Sequence, residues 1–75
     1  MITGEQIKAA RKLLGWSQVR LSSKSGFGGS TIAKFERGEM PLSVLSVSTI
    51  KRTLEGAGVE FPEFERSVRL RKGRP

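Results

Sequence analysis

Cap residues and glycines divide the first 58 residues into four short segments, each with the start and stop signals of an α-helix. The first start is a capping box, in which Thr3 is followed three residues later by Gln6. The other starts place Ser17, Gly28 and Ser43 at the capping position, and the four segments end at Gly15, Gly26, Gly38 and Gly58. Each cap also follows an apolar residue that can pack on another five positions later. Four such matches in register predict an all-α domain of four helices over residues 1–58.

Apolar residues inside each segment recur at the spacing of one helix face, and this spacing defines the expected core. The core takes in Ile7, Ala10, Leu14, Leu21, Ile32, Phe35, Val47, Ile50, Leu54 and Ala57, with the stem of Lys24 or Ser25 beside Leu21. We expect Trp16, Phe27 and Leu45 to close it. A chain of 75 residues buries only about 60% of its unfolded surface, so it holds one small core and one domain.

Beyond Gly58 the hydrophobic pattern changes to the two-residue period of a β-strand. Residues 59–61 and 68–71 each alternate apolar and polar side chains, and Pro62-Glu63-Phe64-Glu65 between them has the composition of a turn. Residues 59–75 are therefore expected to form either a short β-hairpin or an extended basic arm, and we favour the hairpin. The predicted fold class is all-α: a compact four-helix domain with this C-terminal addition.

The residue inventory excludes most catalytic and metal-binding chemistry. The chain has no Cys, His or Asp, and its seven acidic residues are all Glu. Because the usual metal ligands and general bases are missing, we expect neither an enzyme nor a metal or other cofactor. The first residues lack the apolar stretch of a signal peptide, and no apolar run has the roughly 18 residues of a membrane span. We therefore expect a cytoplasmic protein without a membrane segment.

Positive charge is unevenly distributed along the chain, whose net charge is +7. Residues 1–38 hold seven basic and two acidic side chains, residues 39–65 hold two and five, and residues 66–75 hold five and none. A small, strongly basic domain indicates nucleic acid as the first candidate partner. The C-terminal arm adds Arg69, Arg71 and Lys72 as candidate phosphate contacts. The alternative is that these basic residues form a solvated tail that only aids solubility.

The second and third helices are short and are joined by Gly26-Phe27-Gly28, which fits a helix-turn-helix motif over residues 17–37. In that motif the first helix crosses the DNA backbone and the second lies in the major groove. At about 100° per residue, the third helix turns Ile32 and Phe35 inward. Its opposite arc, which would face the groove, holds Gly29, Ser30, Ala33, Lys34 and Arg37. Since every amphipathic helix has a solvated face, an ordinary exposed arc is the alternative.

The residues around this motif resemble a known family. They are Leu14-Gly15-Trp16-Ser17-Gln18, Leu21, Gly26, Thr31-Ile32 and Phe35-Glu36-Arg37-Gly38. They look like the pattern of the phage repressor/Cro type helix-turn-helix, also called the xenobiotic-response-element family. The resemblance covers roughly residues 4–58 and spans three helices and both turns. It implies a single-domain transcriptional regulator that is generally dimeric on double-stranded DNA.

The resemblance also implies roles for individual residues. Ser17 and Gln18 would bind a DNA phosphate at the start of the second helix, where free backbone N–H groups favour an anion. Arg11 and Glu36 would form an architectural ion pair between the first and third helices. The implied DNA-contacting set is Ser17, Gln18, Gly29, Ser30, Thr31, Ala33, Lys34 and Arg37.

Two glycines depart from the family pattern at the start of the third helix. Gly28 and Gly29 stand where a capping Ser or Thr and a long polar side chain are common, and Gly29 has no side chain with which to read a base. Two functions therefore remain open. The first is a sequence-specific regulator, as a dimeric repressor or autoregulator. The second is a protein-interaction module, antiactivator or antitoxin-like, with weak or no DNA readout.

A dimer needs contact surface outside the helix-turn-helix, and the fourth helix and residues 59–75 are what remains. Val59, Phe61, Val68 and Leu70 would form one apolar face of the hairpin, with Arg69 and Arg71 on the opposite face. Contact with a second copy, through this face or through the open strand edges, would shield the apolar face and the unpaired edges from solvent. The competing outcome is that the face packs on helices one and four of its own chain.

Overall fold

The computed structural model describes residues 2–40, 43–62 and 67–71. Within these residues four helices and two strands follow in order: α1 (Gly4–Leu13), α2 (Gln18–Ser25), α3 (Gly29–Arg37), α4 (Val44–Gly56), β1 (Val59–Glu60) and β2 (Arg69–Leu70). The predicted four-helix architecture and the short C-terminal hairpin are both confirmed.

The helix starts form as their cap residues predict. Thr3 Oγ1 accepts a hydrogen bond from the Gln6 amide at 3.2 Å, and Gln6 Oε1 accepts one from the Thr3 amide at 2.8 Å. Ser17 and Ser43 each accept from the amide three residues later, whereas Gly28 caps α3 without a side chain. A side-chain cap stabilises a helix by about 1 kcal/mol relative to alanine but by only a few tenths relative to glycine, so α3 lacks a small contribution that α1, α2 and α4 have.

The helix ends depend on backbone conformations that glycine tolerates. The C-caps of α2 and α3 are Gly26 at φ +85° and Gly38 at φ +73°, in the left-handed region where a Cβ atom is unfavourable. Gly15 and Gly58, just beyond α1 and α4, also have positive φ. The four glycine stops expected from the sequence are therefore confirmed.

The core lies between the four helices and is closed by β1. Its buried apolar side chains are Ile2, Ile7, Ala10, Leu21, Ile32, Phe35, Val47, Ile50, Leu54 and Val59. Leu14, Trp16 and Phe27 are half-buried and pack against it, as the sequence predicts. Both α1 and α2 contact α3, so the core holds α3 firmly from its inner side and leaves its outer side to solvent.

Two expected core positions are wrong. Leu45 is 80% exposed, because it precedes the buried Val47 by two residues and so lies about 200° around α4 from it. Ala57 is exposed because α4 ends at Gly56 and leaves Ala57 at the C-cap, outside the inward face. Of the two alternatives beside Leu21, the half-buried residue is Ser25 rather than Lys24.

The hairpin packs on its own chain. Its strands are antiparallel, with Val59 opposite Leu70, and β1 contacts α4 while β2 contacts α1. Val59 is 1% exposed, and Phe61 and Val68 pack partly buried against the core. The competing outcome is therefore the observed one, since most of the apolar face completes the core. Leu70 remains 47% exposed.

Some expectations fall outside the described residues. They are the packing of Leu42 against Val47, the turn at Glu63–Glu65 and the phosphate contact of Lys72.

A close approach between α1 and α3 depends on Gly4, the first residue of α1. A Cβ atom at this position would lie 1.9 Å from the carbonyl oxygen of Phe35, well inside van der Waals contact. The start of α1 therefore meets the end of α3 at a distance that no side chain at residue 4 allows. This contact helps to fix α3 against the rest of the domain.

Candidate nucleic-acid interface

The start of α2 presents backbone donors to solvent. Ser17 Oγ accepts a hydrogen bond from the Arg20 amide at 3.0 Å, and the Leu21 amide donates to the Ser17 carbonyl. The amides of Gln18 and Val19 have no acceptor within the described part of the chain. Because the positive end of the helix dipole lies at the same place, this tip favours a phosphate oxygen.

The start of α3 is bare backbone. Gly28 provides no side-chain cap, and the amides of Gly29, Ser30 and Thr31 have no acceptor among the described residues. A Cβ atom added at Gly29 would meet nothing within 4 Å. The tip of α3 is therefore open enough for its backbone to approach a ligand closely.

The outer face of α3 carries the side chains that the helical wheel places there. Ser30, Lys34 and Arg37 are exposed, while Gly29, Thr31 and Ala33 are half-buried. On the inner face Ile32, Phe35 and Glu36 are buried. The candidate readers thus project from a helix whose other side is fixed in the core.

The turn between α2 and α3 is braced by an aromatic pair and by one side-chain hydrogen bond. Phe27 and Phe35 meet edge to face, with ring centroids 5.8 Å apart and an interplanar angle of 75°. The hydroxyl of Ser22 in α2 donates to the Phe27 carbonyl. These contacts set the angle at which α3 leaves α2.

A buried polar network joins α1, α2 and α3. Arg11 Nε donates to Glu36 Oε2 at 2.8 Å, and Arg11 Nη2 donates to Glu36 Oε1 at 3.0 Å. The two side chains are only 11% and 2% exposed. Arg11 Nη1 also donates to the Trp16 carbonyl at 2.8 Å, so the turn before α2 is tied to the same pair.

Gln18 belongs to this network as well. Its Nε2 donates to Glu36 Oε1 at 3.1 Å, a bond that the sequence interpretation missed because it considered Gln18 only as a phosphate donor. Residues 18 and 36 are too far apart in the chain for local spacing to reveal the contact. One hydrogen of the Gln18 amide group is thereby used internally, and the second can still reach outward.

Arg37 is engaged by a neighbouring carboxylate. Arg37 Nε and Nη2 donate to the two carboxylate oxygens of Glu39 at 2.7 Å and 3.1 Å. The side chains are 56% and 54% exposed. The hydrogen bond from Arg37 lowers the pKa of the Glu39 carboxyl below its ordinary value, and the charge of Lys34 acts weakly in the same direction. The same hydrogen bond raises the pKa of Arg37. These two bonds do not use the Nη1 donors of Arg37.

The hairpin cations are also engaged within the chain. Arg69 Nε donates to Glu60 Oε1 at 2.9 Å, and Arg71 Nη2 donates to the Glu55 carbonyl at 2.8 Å. A guanidinium at that carbonyl also complements the negative end of the α4 dipole. Their expected role as phosphate contacts stays a prediction, and the observed partners give them a structural role at the end of α4.

Six other cations of the described ranges have no carboxylate oxygen within 4.0 Å. They are Lys8, Lys12, Arg20, Lys24, Lys34 and Arg52. No group of side chains suited to a metal ion occurs among the described residues. None of the described helices is both long enough and apolar enough to cross a membrane.

Two short helices at a fixed angle, with an open, basic outer face, define a DNA-binding helix-turn-helix domain. A family model described as helix-turn-helix matches residues 7–64, which is most of the chain. The chain belongs to this Cro/C1-type helix-turn-helix family of DNA-binding transcription regulators. A comparison with curated proteins gives no significant match.

Proposed function

We propose that this protein is a sequence-specific regulator that binds an inverted repeat in double-stranded DNA as a homodimer and acts as a repressor or autoregulator. The observation that carries the proposal is the network of Arg11, Glu36 and Gln18. It holds the phosphate-binding tip of α2 and the inner side of α3 in one rigid unit. A fixed relation between the two helix starts supports DNA binding, because phosphate contacts at one start set the register in which the other meets the bases.

The two helix starts have different tasks in this proposal. At α2, the open amides of Gln18 and Val19 and the Gln18 side chain bind one phosphate and set the position of the domain on the duplex. At α3, Ser30 and Lys34 reach base edges, and Ala33 contacts a thymine methyl group. Thr31 and Gly29 lie where the backbone of α3 comes nearest to the DNA.

A homodimer supplies the specificity that one domain lacks. With a glycine at the first position of α3, each copy reads few bases through side chains. Two copies about 34 Å apart read two half-sites together. The proposal places the protein in the cytoplasm, where it has access to its operator.

The direct test is DNA binding as a function of salt, with the DNA upstream of the protein's own gene. Wild type and Lys34→Ala are compared by fluorescence anisotropy, with Lys51→Ala as the control on α4. If Lys34 reads a guanine, its loss costs about 1–3 kcal/mol and relaxes one operator position. If it binds a phosphate, the loss shrinks at high salt. Unchanged affinity at low salt would remove Lys34 from the interface.

A protein-interaction module is the second candidate function. One observation favours it: Val44 and Leu45, adjacent in the first turn of α4, are 75% and 80% exposed. Large apolar side chains in one exposed patch are typical of protein contacts. The salt series separates the two functions, because this module would show weak or no operator-specific binding at any salt concentration.

A further inference from the structure

The outer edge of β2 has an unpaired backbone at Leu70. In the antiparallel register Val59 lies opposite Leu70, and the Arg71 amide donates to the Gly58 carbonyl at 2.6 Å. Bonded and non-bonded pairs alternate along an antiparallel ladder, so Val59 and Leu70 form a pair without mutual hydrogen bonds. The N–H and C=O groups of Leu70 therefore point away from β1, and neither has a partner among the described residues.

The side chains at this edge differ between the two faces of the hairpin. Because side chains alternate along a strand, Leu70 shares the core-facing side with Val59, and Arg69 and Arg71 lie on the other side. Val59 is 1% exposed, whereas Leu70 is 47% exposed. A third strand beside β2 would cover Leu70 with an apolar side chain, pair both of its backbone groups and set polar side chains against the two arginines.

The charge of this edge is positive. Residues 66–75 hold five basic and no acidic side chains. Arg69 binds Glu60 of β1, whereas Arg71 binds a backbone carbonyl and has no carboxylate oxygen within 4.0 Å in the part of the chain that the structure describes. An acidic side chain opposite Arg71 on a third strand would form the kind of opposite-charge pair that stabilises neighbouring strands.

The same charges argue against a second copy of β2 at this edge. If Leu70 of two antiparallel copies paired with each other, Arg69 of one copy would lie opposite Arg71 of the other. If Leu70 paired with Val68 instead, Arg69 would lie opposite Arg69. Like charges directly opposite each other destabilise a strand pair, so both registers that bring these apolar side chains together are unfavourable. Basic residues on an edge strand prevent self-pairing in this way.

A strand also fits the edge better than a DNA phosphate does. Phosphate oxygens accept hydrogen bonds from an N–H group or an arginine, but an ionised phosphate offers no donor to the Leu70 carbonyl. It also offers no apolar surface to the exposed Leu70 side chain. A polypeptide strand supplies a donor, an acceptor and an apolar side chain at one position.

We propose that the outer edge of β2 binds an extended acidic segment of a partner protein as a third, antiparallel strand. Apolar and acidic side chains alternate in this segment. One apolar residue lies opposite Leu70 and exchanges two backbone hydrogen bonds with it, and acidic residues lie opposite Arg69 and Arg71. Main-chain bonds then give affinity, and the alternating side chains give specificity. The inference goes beyond the proposed function, because no residue of the helix-turn-helix takes part.

The first test follows the amides of the full chain by NMR, without DNA, on addition of a short synthetic peptide in which valine and glutamate alternate. The Leu70 amide should shift and become protected from exchange with solvent, whereas the Arg71 amide is already bonded and should change little. A peptide with lysine in place of glutamate should bind at least about tenfold more weakly at low salt. No binding of the glutamate peptide, equal binding of the lysine peptide, or protection of Leu70 before any peptide is added overturns the proposal.

Methylation of the peptide backbone tests the strand pairing without changing the protein. In the proposed register the valine N–H groups face β2 and the glutamate N–H groups face away. Methylated valine nitrogens should weaken binding by at least about tenfold, because the bond to the Leu70 carbonyl is lost. Methylated glutamate nitrogens are the matched control and should be tolerated. Equal effects of the two methylations, or a larger effect at glutamate, overturn the proposal.

A charge reversal tests the side-chain pairing. Arg71→Glu should weaken binding of the glutamate peptide at least about fivefold and strengthen binding of the lysine peptide. The control is Arg52→Glu, which makes the same change of charge at an exposed position of α4 and should bind both peptides like wild type. Equal effects of the two variants overturn the proposal. If a DNA duplex of unrelated sequence shifts Leu70 and the glutamate peptide does not, the edge binds DNA instead. Because the peptide experiments contain no DNA, their outcome is independent of the operator-binding proposal.

Discussion

The two helices of the helix-turn-helix begin in contrasting ways. α2 starts at the capped Ser17, and its first side chain, Gln18, is bound to Glu36 in the buried network. α3 starts at Gly28 and Gly29, without a side-chain cap and with open space at its tip. One start is fixed by polar side chains, and the other is an uncovered stretch of backbone.

The proposal gives the two helix starts different tasks: α2 positions the domain on the DNA, and α3 reads bases. A buried ion pair holds its geometry because breaking it leaves an uncompensated charge, so the tip of α2, where a phosphate is proposed to bind, is held in one orientation. Gly29, the first residue of α3, costs up to about 1 kcal/mol of helix stability, and Gly28 adds no side-chain cap, so the tip of α3 is expected to be the weaker end. The predictions below test this contrast, beginning with the largest effect.

Glu36→Gln should be the most damaging single change in the network. It removes the charge that compensates Arg11, and breaking a buried pair costs about 3–5 kcal/mol. Thermal or urea unfolding measures the loss. The control is Glu39→Gln, which breaks an exposed pair next to it and should leave stability unchanged within error. Equal stability of the two variants would contradict the role assigned to the network.

The same glycine-to-alanine change should have opposite effects at the first residue of α1 and of α3. Gly4→Ala forces a Cβ atom against the Phe35 carbonyl, and overpacking of this kind costs about 1–3 kcal/mol. Gly29→Ala meets no neighbouring atom and should stabilise the domain by about 0.5–1 kcal/mol. Urea unfolding of both variants measures the difference.

Gly29→Ala also separates folding from binding. The added methyl group stands where the backbone of α3 is proposed to approach DNA, so the more stable variant should bind its operator more weakly. If Gly29→Ala gains stability and keeps full operator affinity, the tip of α3 does not approach the DNA closely.

Gln18→Ala should weaken binding to all DNA sequences about equally. The change removes the proposed phosphate donor, worth about 1.5–3 kcal/mol as a hydrogen bond to a charged group, and phosphate contacts position without specifying. Affinity for the operator and for an unrelated duplex is measured in parallel. A change in sequence preference at constant overall affinity would place Gln18 among the readers instead.

Glu39→Gln should give the smallest effect, and in the opposite direction. It releases Arg37 and removes a negative charge beside the proposed phosphate path, so DNA affinity should rise a few-fold at low salt and return to the wild-type value at high salt. Anisotropy titrations at two salt concentrations check this. Weaker binding would mean that Glu39 positions Arg37 for its contact.

Features encoded by neighbouring residues could be predicted from the sequence. The caps at Thr3, Ser17 and Ser43 and the left-handed glycines need only a few adjacent positions, so the four helices were predictable. The end of α4 was less so, because the helix stops at Gly56, two residues before Gly58. The hairpin followed from a change of period after Gly58. The outer face of α3 followed from the helical wheel alone.

Features that depend on distant or geometric contacts could not be predicted. The bond from Gln18 to Glu36 joins residues on two helices, and the requirement for Gly4 comes from a carbonyl of α3. Leu45 is a different case: it was expected in the core because it is apolar, although its position about 200° from Val47 on the α4 wheel already indicated an exposed side chain. The partner of Arg71 is the Glu55 backbone carbonyl, and a pattern of side chains does not reveal a contact with a backbone group.

The most direct test of the central claim is an amide NMR titration of the full chain with the DNA upstream of its own gene. If the starts of α2 and α3 form the interface, the largest shifts on binding fall on the amides of residues 17–19 and 29–34. Shifts should then be small along residues 50–56 of α4. Largest shifts confined to α4 or to the hairpin, with residues 17–19 and 29–34 unchanged, would contradict the account.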